Sequence, residues 1–332
     1  MAKQNQNIPK DPQPHTYIVQ ASEIVSSEMY RYPGGQEEPV LRGITFDIKR
    51  GECWGIIGDE PFELELLMQI IANVRPYGSG RCALVERGMM RRKRRILPHV
   101  FYISGGDTVP GNLNTLEYLM YVTARTHIPD RKRQAYILKV MLASDLYYLT
   151  LVPMKYLSIS ERAVICLLSA ALSRALLVVF SVAELTFPAR LSRGIRYIVQ
   201  MITSHGGAVL MGTSDCDMAQ ITCTHAAFLM NGQLSESNKM EALLTALDQR
   251  AFILTSEHPQ ELATAVRSAK KWLDAYVFDK EVHVYVRNPD RSLNQSTIMQ
   301  ILLDAGITID TLQTSHPTLK NAYREVLAGH VI

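Results

Sequence analysis

The sequence predicts an α/β protein: a mainly parallel sheet core with an antiparallel β subdomain and a helical subdomain, followed by a smaller α+β domain. Three observations predict it. Between residues 53 and 213, apolar runs of strand length alternate with helical stretches, the pattern of a parallel sheet buried on both faces. The opening residues alternate polar and apolar around turn chemistry, as half-solvated antiparallel strands do. After about Asn238 the order becomes β-α-β-β-α-β with a trailing helix, a ferredoxin-like arrangement.

Taken in order, residues 1–16, "MAKQNQNIPKDPQPHT", are polar and proline-bearing. They lack the apolar stretch of an export signal and read as a disordered tail. "YIVQASEIV" and "LRGITFDIK" are strand-like and flank the turn residues "YPGGQEEP". "CWGIIG", Cys53 to Gly58, is a short apolar run ending in glycine, and "ELELLMQIIANV" behind it has the spacing of a buried helix. "VFYIS" is a further strand, and the text from Thr115 to about Tyr148 is helix-rich, giving a helical subdomain over about residues 105–155. A helix over residues 160–173, the strand "LLVVF", a helix near residues 192–204, the strand "AVLMGTS" and the hairpin-like "AAFLMNGQL" follow. The first domain is thus placed at residues 17–237 and the accessory domain at 238–332, with no internal repeat.

The 332 residues, 47% hydrophobic and 20% charged, are ample for one large core and a smaller second one. A formal charge of +3 argues against nucleic acid as the partner. One local cluster, "RGMMRRKRR" from Arg87 to Arg95, is strongly basic; it reads as a solvated loop, with an anionic membrane surface as the other reading. Five scattered cysteines show neither paired metal spacing nor disulfide density, which suits a reducing compartment. The longest apolar run, Ala163 to Phe180, is broken by Arg174 and three serines and reads as a buried helix followed by a buried strand.

The order of these pieces resembles the ATP-binding subunit of ABC transporters, of the ABC-2 exporter type, over nearly the whole chain. "EMYRYPGGQEEPVLRGITFDIKRGE" is similar to that family's opening strands, with Tyr32 where those proteins stack an aromatic ring on adenine. "NLNTLEYLMYVTAR" resembles the start of its helical subdomain, and "YLSISERAVICLLSAALSRALLVVFSVAE" lies over its LSGGQ signature helix and Walker B strand. "AVLMGTSDCDMAQITCTHAAFLMNGQL" resembles its last core strands, and "HPTLKNAYREVL" the closing helix of the ABC-2 appendix. The resemblance implies an ABC-type P-loop NTPase fold.

The family's chemistry does not carry over. A phosphate loop needs G-x-x-x-x-G-K-[ST]: glycines so that backbone N–H groups wrap the phosphates, lysine to neutralise them, a hydroxyl for magnesium. Here Gly58 keeps the first glycine, while Glu63, Leu64 and Glu65 stand at the second glycine, the lysine and the hydroxyl. Pro61 removes a further backbone donor. The magnesium-holding aspartate and water-orienting glutamate that end the Walker B strand fall on Ser181 and Val182. The family's glutamine falls on Gly105, its switch histidine on Ser214 and its D-loop aspartate on Pro188. In "LSISE", Ser158 remains while Ile159 and Ser160 replace the signature glycines.

These losses together imply a pseudo-ATPase with no catalytic residues and weak or absent ATP and magnesium binding. Asp59, Glu60, Glu63 and Glu65 would repel phosphates and favour the positive end of the helix behind them, as a capped helix start. Tyr32 is a weak adenine-stacking candidate. No metal site is expected: Glu63 and Glu65 do not share a helix face, Cys216, Asp217, Cys223 and His225 span different elements, and Glu184 would lack a magnesium partner. The expected role is a structural or regulatory partner of an intact ABC ATPase and an ABC-2 type permease, cytoplasmic and peripheral to the membrane. Residual ATPase activity by non-standard groups, or a soluble interaction module that uses the old cleft, are the alternatives.

Overall fold

The computed structural model describes residues 17–31, 36–85, 87–88, 99–105, 109–124, 126, 128–235, 238–246, 251–270, 272–278, 281–286, 295–304, 306, 311–315 and 317–327. Tyr32, the tail 1–16 and the basic cluster from residue 89 lie outside these residues. The chain divides into two compact units: residues up to Asp215 together with Leu229–Leu234, and Cys216–Phe228 together with the residues from Ser235 on.

The first unit opens with β1 (Tyr17–Val25), β2 (Met29–Arg31), β3 (Glu37–Pro39) and β4 (Ile44–Lys49). β5 (Cys53–Ile57), α1 (Pro61–Ile71), β6 (Ser79–Leu84), β7 (Arg87–Gly88) and β8 (Val100–Ser104) come next. Strands β4-β1-β6-β7 make an antiparallel sheet, and β2 pairs with β3. In β4 the residues Ile44, Phe46 and Ile48 are buried while those between them face water, the alternation of a sheet covered on one side. α2 (Thr115–Val122), α3 (Asp130–Ala143), α4 (Ile159–Leu172), β9 (Leu177–Ser181), α5 (Ala189–Ser204) and β10 (Ala208–Thr213) complete the core. β5, β10, β9 and β8 run parallel in that order, and the first three are buried at every position, as continuous apolar strands with helices on both faces must be.

The apolar run from Ala163 to Phe180 resolves into α4 and β9, turned by Ser173 and by Arg174 at φ +54°. Among the described residues no helix is long and apolar enough to cross a membrane. α5 buries Leu191, Ile195, Ile198, Val199 and Ile202, one stripe at helical spacing.

The second unit holds α6 (Cys216–Thr222), most of β11 (His225–Met230), β13 (Asn238–Lys239) and α7 (Met240–Ala246). The short hairpin strand β12 (Gln233–Leu234) belongs to the first unit. β14 (Ala251–Thr255), α8 (Pro259–Ala269), β15 (Leu273–Phe278), β16 (Glu281–Val286), α9 (Gln295–Asp304) and β17 (Thr311–Ser315) follow. Their sheet is antiparallel in the order β15-β16-β14-β17, the ferredoxin-like topology. Phe252, Leu254, Leu262, Val266, Val284 and Ile298 form its core. The closing helix α10 (Leu319–Leu327) is tied within this unit by Leu319 N–H donating to Gln220 Oε1 at 2.7 Å and by Tyr323 packing on Phe228, ring centroids 5.2 Å apart.

Candidate functional site

The turn between β5 and α1 leads into a helix whose two glutamates, Glu63 and Glu65, are committed to contacts within the protein, whereas Asp59, Glu60 and Phe62 are exposed. Gly58 sits so close to the β11–β12 hairpin that a Cβ there would lie 3.0 Å from the Leu229 carbonyl oxygen. A side chain at 58 would therefore crowd the hairpin backbone. Glu60 occupies the N-cap of α1 in an extended conformation, and Pro61 takes the first helical position.

The expectation that the acidic residues cap α1 needs correction. Glu60 makes no side-chain cap hydrogen bond. Glu63 is buried, and its Oε2 accepts the Gly232 N–H at 2.9 Å. Glu65 turns the opposite way: Tyr102 and Ser181 donate their hydroxyls to it, and Gln69 Nε2 donates at 2.7 Å. The physical reason is competition. The N–H of a hairpin turn and the hydroxyls of Tyr102 in β8 and Ser181 at the end of β9 offer partners away from water, whereas the first-turn N–H groups can be hydrated. Burial pushes the Glu63 carboxyl above its ordinary range, with Glu60 adding to the push, while the Gly232 N–H and Arg42 hold it down.

Gly232 is the turn glycine of an Asn-Gly hairpin, with Asn231 at φ +49° and Gly232 at φ +71°. Its carbonyl accepts Arg42 N–H at 2.7 Å, and an added Cβ would meet the Val40 oxygen at 2.0 Å. Glu63 therefore reads out a turn that no side chain larger than glycine permits.

Leu64, at the position of the family's lysine, is fully buried in the same core cluster as Ile56 and Leu67. Ser181 and Val182 are also buried, Ser181 bonded to Glu65 and Val182 N–H donating to the Gly212 carbonyl at 2.8 Å. Ser214 Oγ donates to the Ala183 carbonyl at 2.7 Å. A Cβ at Gly105 would fall 3.2 Å from Leu185 and 3.4 Å from Ile159, which packs the start of the helical subdomain on the core. Ser158 caps α4: its Oγ accepts Glu161 N–H at 3.2 Å, and Glu161 Oε2 accepts Ser158 N–H at 2.9 Å.

Beside α1 lies a cavity of about 810 Å³ whose walls include Tyr30, Phe62, Glu65, Gly105, Ile159 and Ser181. Tyr30 and Phe62 meet edge to face, centroids 6.2 Å apart. Neither residue, nor Tyr102, stands out in the sequence as a site residue. Phe62 within a run of carboxylates was the available signal. Among the described residues no group of three or more His, Cys, Asp or Glu side chains is placed to hold a metal ion.

No known family profile matches this sequence, and no curated protein matches it. Solved structures do. The ATP-binding subunit of an ABC transporter superposes with a TM-score of 0.56 at 13% identity, over 69% of this chain and 92% of that one. The fold is that of ABC transporter ATP-binding subunits. CbiO1 from Clostridium perfringens, part of the ABC transporter complex cbiONQ, gives 0.55 at 16% identity over 69% and 91%. The dimeric ATP-binding cassette MJ0796, in a post-hydrolysis state bound to ADP and Pi, gives 0.54 at 14% over 67% and 99%. At such identities the ABC fold is shared, and the chemistry has to be argued from the residues.

Proposed function

We propose that this chain is a catalytically silent subunit with an ABC ATPase fold, acting as a structural or regulatory partner of an intact ABC ATPase and of an ABC-2 type membrane permease. The observation that carries this reading is the Glu65–Ser181 pair. An ABC ATPase of the kind the sequence resembles sets a hydroxyl on the helix and a carboxylate at the strand end to share magnesium. Here the two groups are exchanged, carboxylate on α1 and hydroxyl on β9, and they bond to each other, with Tyr102 and Gln69 on the same carboxylate. Both carboxylate oxygens are thereby engaged, and among the described residues no lysine lines the cavity.

The residues do not suit a magnesium nucleotide. Two like charges ~4 Å apart repel by about 1 kcal/mol in water and about 4 kcal/mol at an effective dielectric of ~20. A triphosphate beside Glu60 and Glu65 would meet that opposition with no compensating cation among the described lining residues. The partner part of the reading draws support from exposed apolar side chains on the helical subdomain, Tyr121, Leu142, Leu151 and Tyr156, which suit burial against another protein. It draws support too from cbiO1, which belongs to a transporter complex.

Phosphate release from magnesium-ATP by the purified chain tests the silence; release at the background rate is expected. Turnover near 1 s⁻¹ or faster, in the ordinary range of enzymes, would refute it. Affinity purification from membranes tests the partnership, with an intact ABC ATPase and a polytopic permease as the expected companions.

A further inference from the structure

The cavity beside α1 differs from a phosphate site in the sign of its charge as well as in its missing lysine. Among the described residues its charged lining is Glu60, Glu65 and Glu184, with no lysine, arginine or histidine. Glu60 and Glu184 are exposed at its mouth, whereas Glu65 is tied inward by Tyr102, Ser181 and Gln69. The walls are aromatic and aliphatic. Phe62 is half exposed at the start of α1 and meets Tyr30 edge to face, and Ile159, Val182 and Leu185 face the same space.

We propose that this cavity binds a small organic cation, a guanidinium or primary ammonium on a short apolar stem. The inference rests on the reading that nucleotide no longer binds there. Three features converge on it. About 810 Å³ lies within the ~300–1,000 Å³ of small-molecule sites. Carboxylates of one sign along low-dielectric walls concentrate cations and repel anions. Aromatic faces attract a cation through the ring quadrupole while the walls cover its stem. A neutral apolar molecule would gain from the walls alone and an inorganic cation from the carboxylates alone. A guanidinium or ammonium on a stem uses both.

Calorimetric titration of the full chain with butylguanidine tests the proposal, with butylurea as a neutral analogue and metal-free ATP in parallel. Saturable binding of butylguanidine is expected, weakened at least tenfold by Glu60→Gln combined with Glu184→Gln and also by Phe62→Ala. Butylurea is expected to produce no saturable heat. Both glutamates are exposed, so circular dichroism should show the double variant folded. Butylguanidine that fails to saturate, or that binds the folded double variant as tightly as the wild type, overturns the cation site. Saturable ATP binding overturns instead the reading that nucleotide no longer binds there, so the two failures are separable.

Discussion

Glu63 is a buried carboxylate that accepts the backbone N–H of Gly232, and that makes its substitutions informative. Its folded pKa is raised by burial. The native state therefore holds the proton more tightly than the unfolded chain does, and stability from this group is fully present below the ordinary carboxyl value of 4.5 and lost as pH rises through the raised folded value. Glu63→Gln keeps an acceptor for Gly232 N–H and removes the buried charge. It is expected to match or exceed the wild type in urea denaturation at pH 7 and to lose that advantage near pH 4. Glu63→Ala leaves the Gly232 N–H without its acceptor and is expected to cost about 1–3 kcal/mol. At Glu65 the balance differs, since three donors converge on one carboxylate. Glu65→Ala strands two hydroxyls and should destabilise by a similar ~1–3 kcal/mol, while Glu65→Gln, which keeps an acceptor, should cost less.

At the scale of elements, α4 begins on a capping box that the sequence already spells as S-x-x-E, Ser158 to Glu161. The same residues stand where the resemblance expects the signature motif, so a reader of the sequence sees lost glycines before a helix start. Ser158→Ala should cost about 0.5–2 kcal/mol, read as a lowered Tm. A second element-level device ties α5 to the end of α3. Asp145 accepts from Arg190 at 3.0 Å and from Arg193 at 3.1 Å, and Arg190 lies 3.9 Å from the Tyr148 ring centroid. Hydrogen bonds from the two arginines lower the Asp145 pKa. The clamp is therefore present above the ordinary value of 3.8 and is lost as pH falls through the lower folded value. Asp145→Asn should remove that acid-range component while leaving the neutral-pH circular dichroism unchanged. Asp145 does not announce either arginine in the sequence, because they lie 45 and 48 positions further along the chain.

At the scale of the molecule, the strand and helix order was legible because apolar runs such as "LLVVF" and "AVLMGT" have no other way to be buried, and the βαββαβ order of the second unit fixed its topology. The site was legible only as a set of substitutions. Where the carboxylates turn depended on partners distant in sequence, Gly232 from the hairpin, Tyr102 from the middle of β8 and Ser181 from the end of β9. The burial of Leu64 has a further consequence for restoring the motif. Leu64→Lys would place an ammonium in the core cluster, and the variant is expected to lose about 3–5 kcal/mol of stability before any nucleotide is added. The central claim is that this fold no longer holds a nucleotide. Isothermal titration of the wild-type chain with ATP, with and without magnesium, tests it most directly. The account predicts no saturable heat up to millimolar ATP in either condition; a saturable, magnesium-dependent isotherm in the micromolar range would contradict it.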